Sequence, residues 1–265
     1  MQYNLSIVGA AGRMGKKLIA IASENSELKI VAAIENKLHP DLGKDAGSIA
    51  GISPLNVPIT TDFTAKSDVV IDFSQPAEAD RTIEYCLENN AALVMGTTGL
   101  SDQQQQKITD AAKHIPLIYG TNMSVAMNVL FDLVAKAAKM LGDDYDIEII
   151  EQHHRFKKDA PSGSALTLAE NICNATGKDL AKSLVHGRNG NDALRQKGTI
   201  GMHAVRAGDI TGVHTVMFAG LGDRLELKHI ASSRDAFARG AVLASAWLIG
   251  KKPAAYTMAN CLGLD

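Results

Sequence analysis

Between Glu151 and Ser164 the chain crowds His153, His154, Arg155, Lys157 and Lys158 against the turn Asp159-Ala160-Pro161-Ser162-Gly163-Ser164. An imidazole gives or takes a proton near neutral pH. An ammonium beside it steadies negative charge or donates a proton to a developing amine. His153 and Lys157 carry those two chemistries, and His154, Arg155 and Lys158 add the positive charge that a ligand with carboxylates requires. The Pro-Ser-Gly turn opens a helix, and the first amides and serine hydroxyls of a helix form a seat for a carboxylate. The plainer alternative for the basic cluster is a solvated loop, since surface charge is the usual case. Arg234, after Ala231-Ser232-Ser233, reads as a surface or helix-capping residue.

A second constellation lies near the amino terminus. Gly9-Ala10-Ala11-Gly12-Arg13-Met14-Gly15 follows a short apolar strand and introduces a helix, the context in which such glycines cradle a dinucleotide. The spacing is GxxGxxG rather than GxGxxG. Glu35 closes the second strand 20 residues past Gly15, where an acid accepts hydrogen bonds from adenosine ribose hydroxyls. That favours NADH, because an acid repels a 2′-phosphate. Arg13 and Lys37 stand close enough in sequence to partner that phosphate, so NADPH stays open. Thr97 and Thr98 follow another strand, at the edge where open α/β sheets bind ligands.

The elements that must position these groups follow from periodicity. Short apolar strands at 5–8, 28–34, 67–73, 92–95 and 116–119 alternate with helices, including 76–89 and one from Ser101 to His114 with Gln104 completing a capping box. This is the βαβ pattern of a parallel sheet. After Asn122 the pattern changes. A helix is expected at 125–140, a strand at 145–151, a helix at 161–177 and a polar loop at 184–197. Strands at 199–206, 212–219 and 224–230 follow, joined by Gly-Asp turns. A last helix spans 235–249. The fold class is α/β, with a Rossmann-type unit and a second, partly antiparallel α/β unit.

With 265 residues, 46 % hydrophobic, 23 glycines and a net charge of -2, the chain suits a globular α/β enzyme, without the bulk positive charge that draws proteins to nucleic acid or acidic membranes. Cys86, Cys173 and Cys261 are widely spaced and form no metal-type pair, and neither HExxH nor a Walker or GxSxG motif occurs. No metal is expected. The first residues lack a basic leader, and the longest apolar stretch, 240–250, is too short for a bilayer, so a cytoplasmic location is expected.

Taken together, Val8 to Gly15, Val70-Ile71-Asp72-Phe73-Ser74, Gly96-Thr97-Thr98-Gly99, Glu148 to Glu151 with His153-His154-Arg155, Lys157 with Asp159 to Gly163, and Ala231 to Arg234 resemble the dihydrodipicolinate (4-hydroxy-tetrahydrodipicolinate) reductase family over essentially the whole chain. The resemblance implies NAD(P)H-dependent reduction of a cyclic dicarboxylate, with His153 and Lys157 catalytic and His154, Gly163 and Ser164 on the substrate's carboxylates. It implies that Gly9, Ala10, Ala11, Gly12, Arg13, Met14, Glu35, Gly96, Thr97, Thr98, Gly120, Thr121, Asn122 and Met123 hold the cofactor. Some relatives carry an arginine beside the acid at the Glu35 position. Here Asn36 and Lys37 follow instead, which shifts the expectation toward NADH. The resemblance further implies a nucleotide-binding domain at residues 1–124 and 235–265. It places a substrate-binding and oligomerising domain at 125–234, with a mixed, largely antiparallel sheet, and implies a homotetramer.

Overall fold

A computed structural model describes residues 2–264. The chain divides into two compact units, residues 1–125 with 234–265, and residues 126–233.

The first unit begins with β1 (Tyr3–Val8), α1 (Arg13–Ser23), β2 (Leu28–Ile34), α2 (Ala46–Ala50), β3 (Ile59–Thr60), β4 (Val69–Asp72), α3 (Pro76–Asn89), β5 (Ala92–Met95), α4 (Asp102–Ala111) and β6 (Pro116–Tyr119). Local chemistry sets the boundaries. Pro76 opens α3 at a position that needs no amide donor, and Asn90 ends it in the left-handed region at φ 51. Ser101 and Gln104 form the expected reciprocal capping box on α4. β4 and β5 are buried at every residue, as strands are when helices cover both faces of a parallel sheet.

The second unit contains α5 (Val125–Leu141), β7 (Asp146–His153), α6 (Gly163–Thr176), α7 (Leu180–Ser183), β8 (Leu184–His186), β9 (Ile200–Arg206), β10 (Gly212–Ala219) and β11 (Arg224–Ala231). The chain then returns to the first unit as α8 (Asp235–Leu248), β12 (Ala254–Tyr256) and α9 (Met258–Leu262).

The first sheet runs β12-β6-β5-β4-β1-β2-β3 and is parallel throughout. Strand order reverses between β1 and β4, the switch point at whose carboxyl edge such sheets bind ligands. One face packs under Leu18, Ile19 and Ala22 of α1 and Ala238, Ala241 and Leu248 of α8. The other packs under Ala79, Ile83 and Cys86 of α3 and Ile108 and Ala111 of α4.

The second sheet runs β11-β10-β7-β9-β8. Its core joins Leu130, Phe131 and Val134 of α5 and Leu168 and Ile172 of α6 to Ile147, Ile149, Val216 and Phe218. This sheet corrects the expectation of a largely antiparallel one. β11-β10 and β10-β7 are antiparallel, but β7-β9 and β9-β8 are parallel. The cause is that β7 inserts between β9 and β10, and α6 carries the chain across so that β8 and β9 run alongside β7. β8 falls inside the stretch expected to be loop; its three residues, two half-buried and one exposed, are too few to show a period. The 187–199 connection is strapped to β7. Arg188 and Arg195 donate to Glu148 at 2.7 and 3.0 Å, and Arg195 also bonds Asp146 at 2.7 Å. Burial alone would raise Glu148, but these donors and His203 bring its carboxyl down to about 2.

Candidate active site

In the first unit the glycine loop leaves the buried end of β1. Gly9 sits at φ 78, and its amide and that of Ala10 both donate to Ile34 O. Gly15 could carry no side chain, since a Cβ there would stand 2.1 Å from Gly9 O. The loop and α1 therefore meet at backbone distance. Gly12 caps α1 with no side-chain hydrogen bond, and no acid occupies the first turn. Arg13 is exposed, Gly12 and Met14 are half-buried, and Ala10 and Ala11 are buried. The uncapped amide end and the missing side chains make a cradle that fits a pyrophosphate.

Glu35 lies against this loop. Its Oε2 accepts from Ala11 N at 3.0 Å and its Oε1 from Asn36 N at 3.0 Å. It also lines a cavity of about 570 Å³ with Asn36, Lys37, Thr61, Asp62 and Arg81. Among the predicted cofactor residues, Thr98 is exposed but Thr97 is buried. The Thr97 hydroxyl donates to Asp72 Oδ1 at 2.8 Å and accepts from Ser74 N at 3.1 Å. Gly96 lies against the Phe73 ring, and a Cβ there would stand 2.3 Å from it. Gly120 N donates to Met95 O, Asn122 Oδ1 accepts from Ser124 N, and Met123 is buried. Thr121 is exposed. Asp72 and Ser74 stand in the Val70 to Ser74 motif without a role assigned from sequence; their signal is a polar pair ending an apolar strand.

In the second unit His153 is the last residue of β7, so the strand runs two residues past its expected end. Glu151 stands two positions back and therefore on the same face. Its side chain is fully buried, and Glu151 Oε2 lies 2.6 Å from His153 Nδ1. Arg206, at the end of β9, grips both carboxylate oxygens at 2.8 Å, and Ser162 N donates to Oε1 at 3.1 Å. Burial would raise Glu151, but the hydrogen bonds from His153 and Arg206 prevail and bring it to about 2.

Ser162 caps α6 by accepting from Ala165 N, leaving Gly163 and the buried Ser164 in the first turn. Its Oγ also lies 3.2 Å from His214 Nε2. Burial, then the neighbouring His153, pushes His214 down to about 3, so it stays neutral. Lys157 pairs with Asp159 Oδ1 at 2.9 Å, and Arg206 donates to Asp159 O at 2.6 Å. His154 is half-buried, and its carbonyl accepts from Lys157 N. A chain of bonds thus joins His153, Glu151, Arg206, Asp159 and Lys157, and a branch reaches the start of α6. Arg206 and His214 are not singled out from sequence; Ser162 enters there only among the serines of the carboxylate seat, and Glu151 only as part of the Glu148 to Glu151 motif. Period-two spacing could have found Glu151, whereas Arg206 and His214 require the strand pairing.

A glycine cradle at the switch point of a parallel sheet is how Rossmann-type oxidoreductases hold a nicotinamide dinucleotide, and this fold is of that class. Comparison with known proteins narrows it. Residues 3–123 match the family model described as dihydrodipicolinate reductase, N-terminus, and residues 126–262 match dihydrodipicolinate reductase, C-terminus. A 4-hydroxy-tetrahydrodipicolinate reductase of Hahella chejuensis is 46 % identical over 263 residues, 98 % of each chain. One of Anaeromyxobacter sp. is 46 % identical over 264 residues. The dipicolinate-bound dihydrodipicolinate reductase from Paenisporosarcina sp. TG-14 superposes with TM-score 0.75 at 26 % identity, covering 98 % of this chain and 99 % of that one. The chain belongs to the dihydrodipicolinate reductase family and is an oxidoreductase. GenD2 from gentamicin A biosynthesis, in complex with NAD, shares the fold at TM-score 0.64 and 12 % identity.

Proposed function

We propose that the enzyme reduces 4-hydroxy-tetrahydrodipicolinate, or the dihydrodipicolinate left when it loses water, to tetrahydrodipicolinate in lysine and diaminopimelate biosynthesis. Bound NAD(P)H supplies a hydride from nicotinamide C4 to the conjugated C=C–C=N system of the ring. His153 delivers the balancing proton toward the ring nitrogen, and Lys157 orients the substrate or assists that transfer. His154, Gly163 and Ser164 receive the carboxylates, with the α6 amides supplying donors. Gly9 to Met14, Glu35, Gly96 to Thr98 and Gly120 to Met123 hold the cofactor. The observation that carries this reading is the bonded chain linking an imidazole and an ammonium to an amide-rich helix start in one unit.

The test is oxidation of NADH with freshly generated 4-hydroxy-tetrahydrodipicolinate, with pyruvate as control. Turnover with the former alone is expected. His153→Ala should cut kcat by about 100-fold while NADH binding holds, as loss of a general acid does. Undiminished turnover in that variant ends the His153 assignment.

Glu35 and the absence of an arginine at position 36 support NADH being at least as effective as NADPH; an NADPH advantage of about 100-fold in kcat/KM overturns this. A homotetramer is supported by Ile230 and Val205, 59 % and 41 % exposed in one row across β11, β10, β7 and β9. The free thiols of Cys86, Cys173 and Cys261 support a reducing cytoplasm.

A further inference from the structure

We infer that Glu151 is a positioning residue that fixes which nitrogen of His153 does the chemistry, and that it holds this imidazole and the start of α6 in one frame. The inference rests on His153 being the proton carrier, the reading proposed above.

The geometry is specific. Glu151 Oε2 faces His153 Nδ1 at 2.6 Å and Arg206 at 2.8 Å, while Oε1 takes Arg206 at 2.8 Å and Ser162 N at 3.1 Å. Each oxygen therefore meets two nitrogens. A carboxylate in this setting only accepts, so His153 Nδ1 must carry a proton, and Nε2 is left as the nitrogen that exchanges one with substrate. Arg206 keeps the buried carboxylate ionised, because a fully buried glutamate without such a partner would take up a proton. When the imidazolium gives up its Nε2 proton, that N–H bond breaks and a new one forms on the ring nitrogen. The product is the neutral Nδ1–H imidazole, the tautomer Glu151 accepts from.

The groups facing His153 from neighbouring elements agree with this assignment. His214 on β10 meets it edge-on at 5.2 Å between ring centres and stays neutral. Beyond it stands His229 on β11, with ring centres 6.4 Å apart, lowered by burial. Arg206 and Lys157 are occupied by Glu151 and Asp159. Glu151 is thus the carboxylate bonded to the imidazole.

Glutamine at position 151 keeps the shape but turns one oxygen into a donor. Facing His153, that amide would force Nδ1 to accept; facing Ser162, it would oppose a backbone N–H. The experiment is 15N NMR of histidine-labelled enzyme, joined to steady-state kinetics. In the wild type, neutral His153 is expected as the Nδ1–H tautomer. Glu151→Gln should lose that preference and at least about 10-fold in kcat, with KM for NADH changed by less than about twofold. Arg206→Lys, which keeps the charge but loses the fork, should fall between the two. An Nε2–H tautomer in the wild type, or a folded Glu151→Gln enzyme with wild-type kcat, overturns the inference. The wild-type spectrum decides even if the variants fail to fold. It is also separable from the His153→Ala result, which tests the proton carrier itself.

Discussion

Gly212, the first residue of β10, lies where a methyl group would stand 3.2 Å from His153 Nε2 and 3.6 Å from its Cδ2. The ring cannot simply retreat, because Glu151 holds its other nitrogen at 2.6 Å. Gly212→Ala should therefore displace or rotate the imidazole by a few tenths of an ångström, enough to cost about 10-fold in kcat with NADH affinity retained. Steady-state kinetics beside a cofactor titration checks this; equal loss in both would point to general unfolding instead. At this scale the sequence was informative about charge and chemistry and silent about partners. His153, Lys157 and the glycines announce themselves by type and spacing. Arg206 lies 53 residues beyond His153 in the chain and reaches it only through the β7-β9 register. Nothing local to Arg206 distinguishes it from a surface arginine.

Among the elements, β4 and the turn after β5 are coupled through Asp72, whose buried Oδ1 gathers Ser74 N at 2.9 Å, Ser74 Oγ at 2.6 Å and Thr97 Oγ1 at 2.8 Å. Thr97→Val keeps the volume and removes the hydroxyl, leaving a buried carboxylate with one donor fewer. A loss of about 1–3 kcal/mol is expected, which thermal unfolding would register as a drop of several degrees in Tm. A shift within error would mean the turn is held by other contacts. The longer or mostly apolar elements of the first unit are legible, with 76–89, 28–34, 92–95 and 116–119 matching to the residue, whereas the short α2, β3, β12 and α9 carry too few residues to show a period. The second sheet is not legible, since strand order is a non-local property. Three strands in succession suggest a meander, and only α6 lying across the sheet lets β7 enter between β9 and β10.

For the molecule as a whole, acid stability follows from Glu148 and Glu151, both lowered from 4.5 to about 2 in the folded state. A carboxylate lowered on folding stabilises above its unfolded value and loses that contribution as pH falls through the folded one. Tm should hold down to about pH 5 and fall steeply from there toward about pH 2, and Glu148→Gln should flatten that descent. A wild-type profile without the descent would argue against the strap on the 187–199 connection. Ala238, Ala241, Ala244 and Leu248 are wholly buried in the first unit's core, and β12 completes its sheet beside β6. A nascent polypeptide leaving the ribosome would hold the part of that sheet face not covered by α1 open through more than a hundred further residues of synthesis, a long exposure to chaperones.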